Sequence, residues 1–111
     1  MQTSSAIEAL SALAQEHRLA LFRLLVQAGS EGVAAGALAE ALSVPSSSLS
    51  FHLAHLNRAG LIEQRREGRS LIYTANYSAV NALVGYLMEN CCAGADCSPA
   101  AAATQPKRKT A

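Results

Sequence analysis

The residues with the most chemistry in this chain of 111 are its three cysteines, Cys91, Cys92 and Cys97, all within one short segment. Thiolates are soft donors and select soft acceptors. From Cys92 to Cys97 an extended chain spans roughly 17 Å, ample to fold the third sulfur back onto the pair. One chain can therefore offer three sulfurs to one ion. Trivalent arsenic or antimony takes three sulfurs in a pyramid with a lone pair, so As(III) or Sb(III) would be complete with this set. Zinc usually takes four ligands, and the fourth would fall to Asp96, water or another residue; Cd(II) and Cu(I) also accept sulfur. Exposed thiols oxidise readily, so a redox switch would use the same residues, and a vicinal disulfide is strained but accessible. An odd number of thiols does not suit a framework of paired disulfides. No phosphate-cradling loop is present, and no His or Arg stands near the cluster in sequence to lower a thiol pKa. The chain therefore reads as a non-enzyme with no catalytic cofactor.

A second group of residues suits DNA. Ser47, Ser48, Ser50, Phe51 and His52 fall in one segment, and Arg65, Arg66 and Arg69 follow. On a helical wheel of about 100° per residue, Leu49, Leu53 and Leu56 share one face and Ser47, Phe51, Ala54 and Arg58 point the other way. Ser48 and His55 lie on one flank, Ser50 on the other, and His52 nearer the core edge. Small hydroxyls suit a helix that enters a major groove about 12 Å wide, and an exposed Phe51 could touch a thymine methyl. The three arginines could neutralise phosphates or enter a minor groove. The plainer alternatives are serines that merely cap a helix and a solvated basic hairpin. His52 and His55 are three apart, a possible metal pair, but no third ligand stands nearby in sequence.

Six elements must position these groups. Helical spacing of Ile7, Leu10, Leu13 and Ala14 predicts a first helix over Ser5–Gln15. Leu19, Phe22, Leu25 and Val26 predict a second over His17–Ala28, ended by Gly29. A link at Gly32-Val33, with room for one short strand, leads to a short third helix, Ala35–Leu42. Pro45 disfavours helix at Val44 but suits a first turn, so a fourth helix starts near Pro45 or Ser46 and runs to about Ala59. Leu61–Arg66 and Ser70–Ala75 read as strands around a Glu67-Gly68-Arg69 turn. Val80, Leu83, Val84, Leu87 and Met88 predict a fifth helix over Tyr77–Asn90. The fold class is thus mainly α with a small β-hairpin, a helix-turn-helix followed by a basic wing. Residues 1–97 read as one domain, with a C-terminal sensor site, and 98–111 as a disordered tail.

Composition is consistent with this. Half the residues are hydrophobic, enough for a core, so the chain as a whole is not disordered. A domain this small gains from burying more surface in a dimer. No long uncharged apolar stretch signals a membrane span, and Met1–Ala14 has no secretory character, so the expected compartment is the cytoplasm, with thiols normally reduced. The net charge of +1 hides a division: Lys107, Arg108 and Lys109 close the chain, while residues 1–97 hold six Arg and eight acids, giving −2. Any affinity for DNA rests on local placement rather than on overall charge.

The stretch Leu38-Ala39-Glu40-Ala41-Leu42, then Ser47-Ser48-Leu49-Ser50-Phe51-His52-Leu53, Leu56 and Ala59-Gly60-Leu61-Ile62, closely resembles the ArsR/SmtB family of metal-responsive repressors. His17-Arg18-Leu19 with Leu24-Leu25 upstream, and Arg66-Glu67-Gly68-Arg69 with Tyr73 downstream, also fit. The resemblance covers about residues 5–90. It implies a homodimeric winged helix joined through its first and fifth helices, and repression of double-stranded operator DNA relieved by a ligand. It carries Ser50 and His52 over as DNA contacts. One sensing site of the family places Cys-x-Cys in the third helix; here Ala37–Leu42 has no Cys. Another pairs His and carboxylates along the fifth; here only Glu89 is available. The resemblance therefore leaves Cys91, Cys92 and Cys97, and a Cys-Cys pair with a third Cys just after the fifth helix implies an arsenite sensor. The pair can converge only if the helix frays there, since adjacent helical residues point about 100° apart.

Overall fold

The computed structural model describes residues 1–94; Cys97 and the expected tail 98–111 lie outside them. The elements are α1 (Thr3–Leu13), α2 (Glu16–Ala28), a 3-10 turn (Gly29–Glu31), β1 (Val33–Ala34), α3 (Ala35–Leu42), α4 (Ser46–Arg58), β2 (Ile62–Glu67), β3 (Ser70–Ala75), α5 (Tyr77–Leu87) and a closing 3-10 turn (Cys91–Gly94). This is the winged helix-turn-helix expected from the sequence.

The core gathers Leu21 and Leu25 of α2, Leu38 of α3, Leu56 of α4 and Leu61 after it, all fully enclosed. The first two helices are turned differently from the apolar pattern. Helix α1 buries Ala6, Ala9 and Ala12, and leaves Ile7 and Leu10 exposed. Small alanines let α1 approach its neighbours closely, so its bulky apolar residues remain outside. In α2 the buried set is Leu21, Phe22 and Leu25, while Leu19 and Val26 are exposed. Arg18 is buried beside them, its Nε donating to the Ala12 carbonyl at 2.6 Å. That carbonyl belongs to the last turn of α1, where helix C-termini present unpaired oxygens and negative potential.

The link before α3 forms β1, and the hairpin becomes one side of a three-stranded antiparallel sheet ordered β1-β3-β2. Strand β1 pairs Val33 with Tyr73 and Ala34 with Ile72. Gly32, at φ 74°, enters this strand so tightly that a Cβ would lie 2.6 Å from the Tyr73 carbonyl oxygen and 2.7 Å from Ile72 Cγ2. Strand β2 runs on to Glu67, which leaves a two-residue turn, Gly68-Arg69, with Gly68 at φ 62°.

Asn76 starts α5 by accepting from the Ala79 N–H at 3.2 Å, and its Nδ2 donates to the Gly60 carbonyl at 3.0 Å. One side chain thus joins the end of α4 to the start of α5. Tyr77 OH donates to the Val26 carbonyl at 2.9 Å, and Tyr86 OH meets Thr3 Oγ1, so α5 is tied to both α2 and α1. Helix α5 is three residues shorter than its apolar stripe predicts. It stops at Leu87, and Asn90 turns left-handed at φ 59°. Asn is among the few residues that enter this conformation readily, so it breaks the helix before Gly94 is reached.

Candidate nucleic-acid interface and thiol cluster

Helix α4 follows a three-residue turn, Ser43–Pro45, in which Ser43 adopts the left-handed conformation at φ 55°. Such a turn fits the helix-turn-helix motif. Pro45 occupies the N-cap position, and no side chain makes a capping hydrogen bond. The serines at this helix start are therefore not consumed by capping. Leu49, Leu53 and Leu56 face the core as expected. Ser47, Ser50, Phe51, Ala54 and Arg58 are exposed, and Ser48 and His55 are half-buried on the flank. Phe51 is 64% exposed, which is unusual for so large an apolar side chain that has a core to join.

His52 lies at the core edge. Its ring centroid is 5.6 Å from that of His17 on α2, and its enclosed Nδ1 finds no hydrogen-bond partner among the described residues. Phe51 packs edge-on to both His52 and His55. The His52 pKa is lowered by burial, then by the positive charges of Arg18, His17 and His55. His55 is lowered by burial, Arg18 and Arg58, with Glu8 opposing. These surroundings favour the neutral form of His52.

Ser50, Ala54 and Asn57 of α4 face Gln64 of β2 and Tyr73 of β3 across a cleft of about 190 Å³, floored by Leu53. Asn57 and Gln64 are polar groups on the face of Ser50 that the sequence reading did not single out. The signals were present: Asn57 lies two helical turns beyond Ser50, and Gln64 falls on the same strand face as buried Ile62.

The wing arginines separate. Arg66 and Arg69 are exposed. Arg65, expected beside them as a phosphate contact, makes three hydrogen bonds within the fold while its side chain stays 42% exposed. Its Nη2 donates to the Glu31 carbonyl at 2.8 Å, its Nη1 to the Ser30 carbonyl at 3.2 Å and its Nε to Glu67 Oε2 at 2.7 Å. Side chains on a strand alternate between faces, and the sequence could not show which face the Gly29–Glu31 turn covers.

Cys91 and Cys92 sit beyond α5 on backbone that is no longer α-helical. Asn90, Cys92 and Ala93 all have φ between 55° and 59°. The helix end that convergence of the two sulfurs requires is therefore present. Cys91 is half-buried and a free thiol, its N–H donating to the Met88 carbonyl at 3.0 Å. Cys92 is exposed and disulfide-bonded. Among the described residues no three His, Cys, Asp or Glu side chains are grouped to hold a metal ion.

Known proteins match this architecture. Residues 13–65 match a helix-turn-helix domain family. The HTH-type transcriptional regulator YgaV of Escherichia coli is 32% identical over 92 residues, covering 83% of this chain and 93% of the relative. A solution structure from Mycobacterium bovis is described as a homodimeric winged helix-turn-helix DNA-binding domain of a possible ArsR-family regulator. It shares 30% identity and a TM-score of 0.64, over 78% of this chain and 81% of that one. The chain belongs to the ArsR-type helix-turn-helix transcriptional regulators. The Vibrio cholerae transcriptional activator HlyU is 33% identical, covering 77% of this chain and 76% of the relative. A solved structure described as a possible regulator for arsenical resistance shares 28% identity and a TM-score of 0.64, over 72% of this chain and 80% of that one. An ArsR-type regulator binds DNA, and among the described residues no helix is long and apolar enough to cross a membrane.

Proposed function

We propose that this regulator is a homodimeric repressor of operator DNA, released when As(III) or Sb(III) binds Cys91, Cys92 and Cys97. The observation that carries the sensor reading is the end of α5: the helix stops at Leu87, and the adjacent cysteines follow on turned chain, with Asn90 and Cys92 in the left-handed conformation. Two adjacent cysteines in an intact helix diverge; on turned chain their sulfurs can approach one ion. Arsenous acid and three thiols give three arsenic–sulfur bonds and three waters, with no change in oxidation state. The likeness to a possible arsenical-resistance regulator supports the same inducer.

The dimer reading rests on apolar residues left exposed on two packed helices, Ile7 and Leu10 on α1 and Val84 and Leu87 on α5. Pairing of these surfaces would place two α4 helices about 34 Å apart, on successive major grooves. The sensor follows directly from α5, so gathering its sulfurs reshapes the end of the dimer helix. A coupling of about 1–3 kcal/mol would weaken operator binding about 5- to 150-fold.

A second reading is a redox-switched repressor, favoured by the disulfide at Cys92. There peroxide would oxidise two thiols to a disulfide and be reduced to two waters. A gel-shift titration on the duplex that the reduced protein selects from a random library separates the readings. Arsenite should release that duplex from wild type and not from a Cys91→Ser, Cys92→Ser, Cys97→Ser variant. Release by peroxide or zinc, with none by arsenite, would sink the arsenic reading.

A further inference from the structure

The cross-strand register sorts the wing into two faces. Ile62, Gln64 and Arg66 stand opposite Ala75, Tyr73 and Leu71, and Ile62, Tyr73 and Ala75 are buried. This face meets the core and, through Gln64, the α4 cleft. Glu63, Arg65 and Glu67 stand opposite Thr74, Ile72 and Ser70 on the other face. The Gly29–Glu31 turn lies against that second face: a Cβ on Gly32 would touch Ile72 Cγ2 and Thr74 Cγ2 within 2.8 Å.

Arg65 spans the gap between them. All three guanidinium nitrogens are used, two on successive carbonyls of the turn and one on Glu67. The planar fork of arginine suits such paired acceptors, and a lysine does not. The tie joins positions 34 residues apart. It also falls where the sheet narrows. Strand β1 pairs only with Ile72 and Tyr73, so beyond Arg65 the tip from Arg66 to Leu71 has two strands and no third.

We propose that Arg65 is a positioning residue: it anchors the wing to the Gly29–Glu31 turn and so fixes where Arg66 and Arg69 meet the DNA backbone, without contacting phosphate itself. The inference rests on DNA binding through α4 and the wing. It predicts that Arg66 works only while Arg65 holds the strand.

The test is a double-mutant cycle on the duplex selected by the wild-type protein, over a salt series. Arg66→Ala alone should weaken binding about tenfold at low salt, and less than about threefold once Arg65→Met is present. Arg65→Lys should behave as Arg65→Met does, because one ammonium cannot hold two carbonyls and a carboxylate. In the free protein, amides of the Gly68-Arg69 tip should exchange faster in Arg65→Met than in wild type. The proposal is overturned if the two costs simply add, each lowering the salt slope by about 0.9, with Arg65→Lys retaining affinity; Arg65 is then a phosphate contact. It is also overturned if the costs add with unchanged slopes, which marks general destabilisation. Wild-type protein that shows no salt-dependent binding to any duplex would overturn the DNA reading and this proposal together.

Discussion

Single residues decide several features that pattern alone left open. Arg18 is a cation enclosed with its Nε on the Ala12 carbonyl, holding the end of α1 to the start of α2. Hydrogen bonds that involve a charged group contribute more than neutral ones, so Arg18→Ala should lower unfolding stability by about 2–3 kcal/mol. Urea denaturation monitored by circular dichroism measures this, and an unchanged midpoint would remove the role. Gly32 is constrained twice, by φ 74° and by the Tyr73 carbonyl oxygen 2.6 Å from any Cβ. That oxygen belongs to a paired strand and cannot swing aside. Gly32→Ala should cost about 2–4 kcal/mol, read as a lower thermal midpoint. Gly29, with open space around it, should tolerate alanine better.

At the scale of elements, α4 combines a core face, an exposed face proposed to meet DNA and a histidine edge. Its His52 binds protons less readily in the fold than in the unfolded chain, where the ordinary value is 6.5. Above about pH 7.5 both states are neutral there and this residue adds no pH dependence. As pH falls below 6.5 the unfolded chain takes up the proton first, so stability declines toward pH 5. Unfolding midpoints at pH 8, 6.5 and 5 should show that decline, and His52→Gln should flatten it.

The elements themselves were largely legible. The leucine spacing of α4, the position of Pro45 and the Gly68 turn are local signals, and each found its place. The orientation of α1 was not, because its stripe of Ile7 and Leu10 looks like a core face until Ala6, Ala9 and Ala12 are seen packed inward. The tie of Arg65 to the Gly29–Glu31 turn was not legible either, since those carbonyls lie 34 and 35 residues away. The exposed face of α4 could be read from a wheel; the division of the wing could not, because it depends on what covers each face of the sheet.

At the scale of the whole molecule, the proposed mechanism couples DNA binding to the cysteines through α5. Exposed Leu10 and Val84 belong to helices that pack together within the chain, and they are the surface proposed to meet a second copy. Leu10→Glu with Val84→Glu should yield monomers by light scattering and weaken binding to a two-fold symmetric duplex at least about 100-fold, since the second half-site no longer gains from tethering. The measurement that bears most directly on the central claim is native mass spectrometry of the reduced dimer with arsenite, run beside its duplex complex. Two arsenic ions per dimer are expected, each adding about 72 Da as three thiol protons leave, with the duplex complex lost in step. Arsenite that leaves the dimer unmodified and still on its duplex, or that binds equally well after Cys91, Cys92 and Cys97 are replaced by Ser, would contradict it.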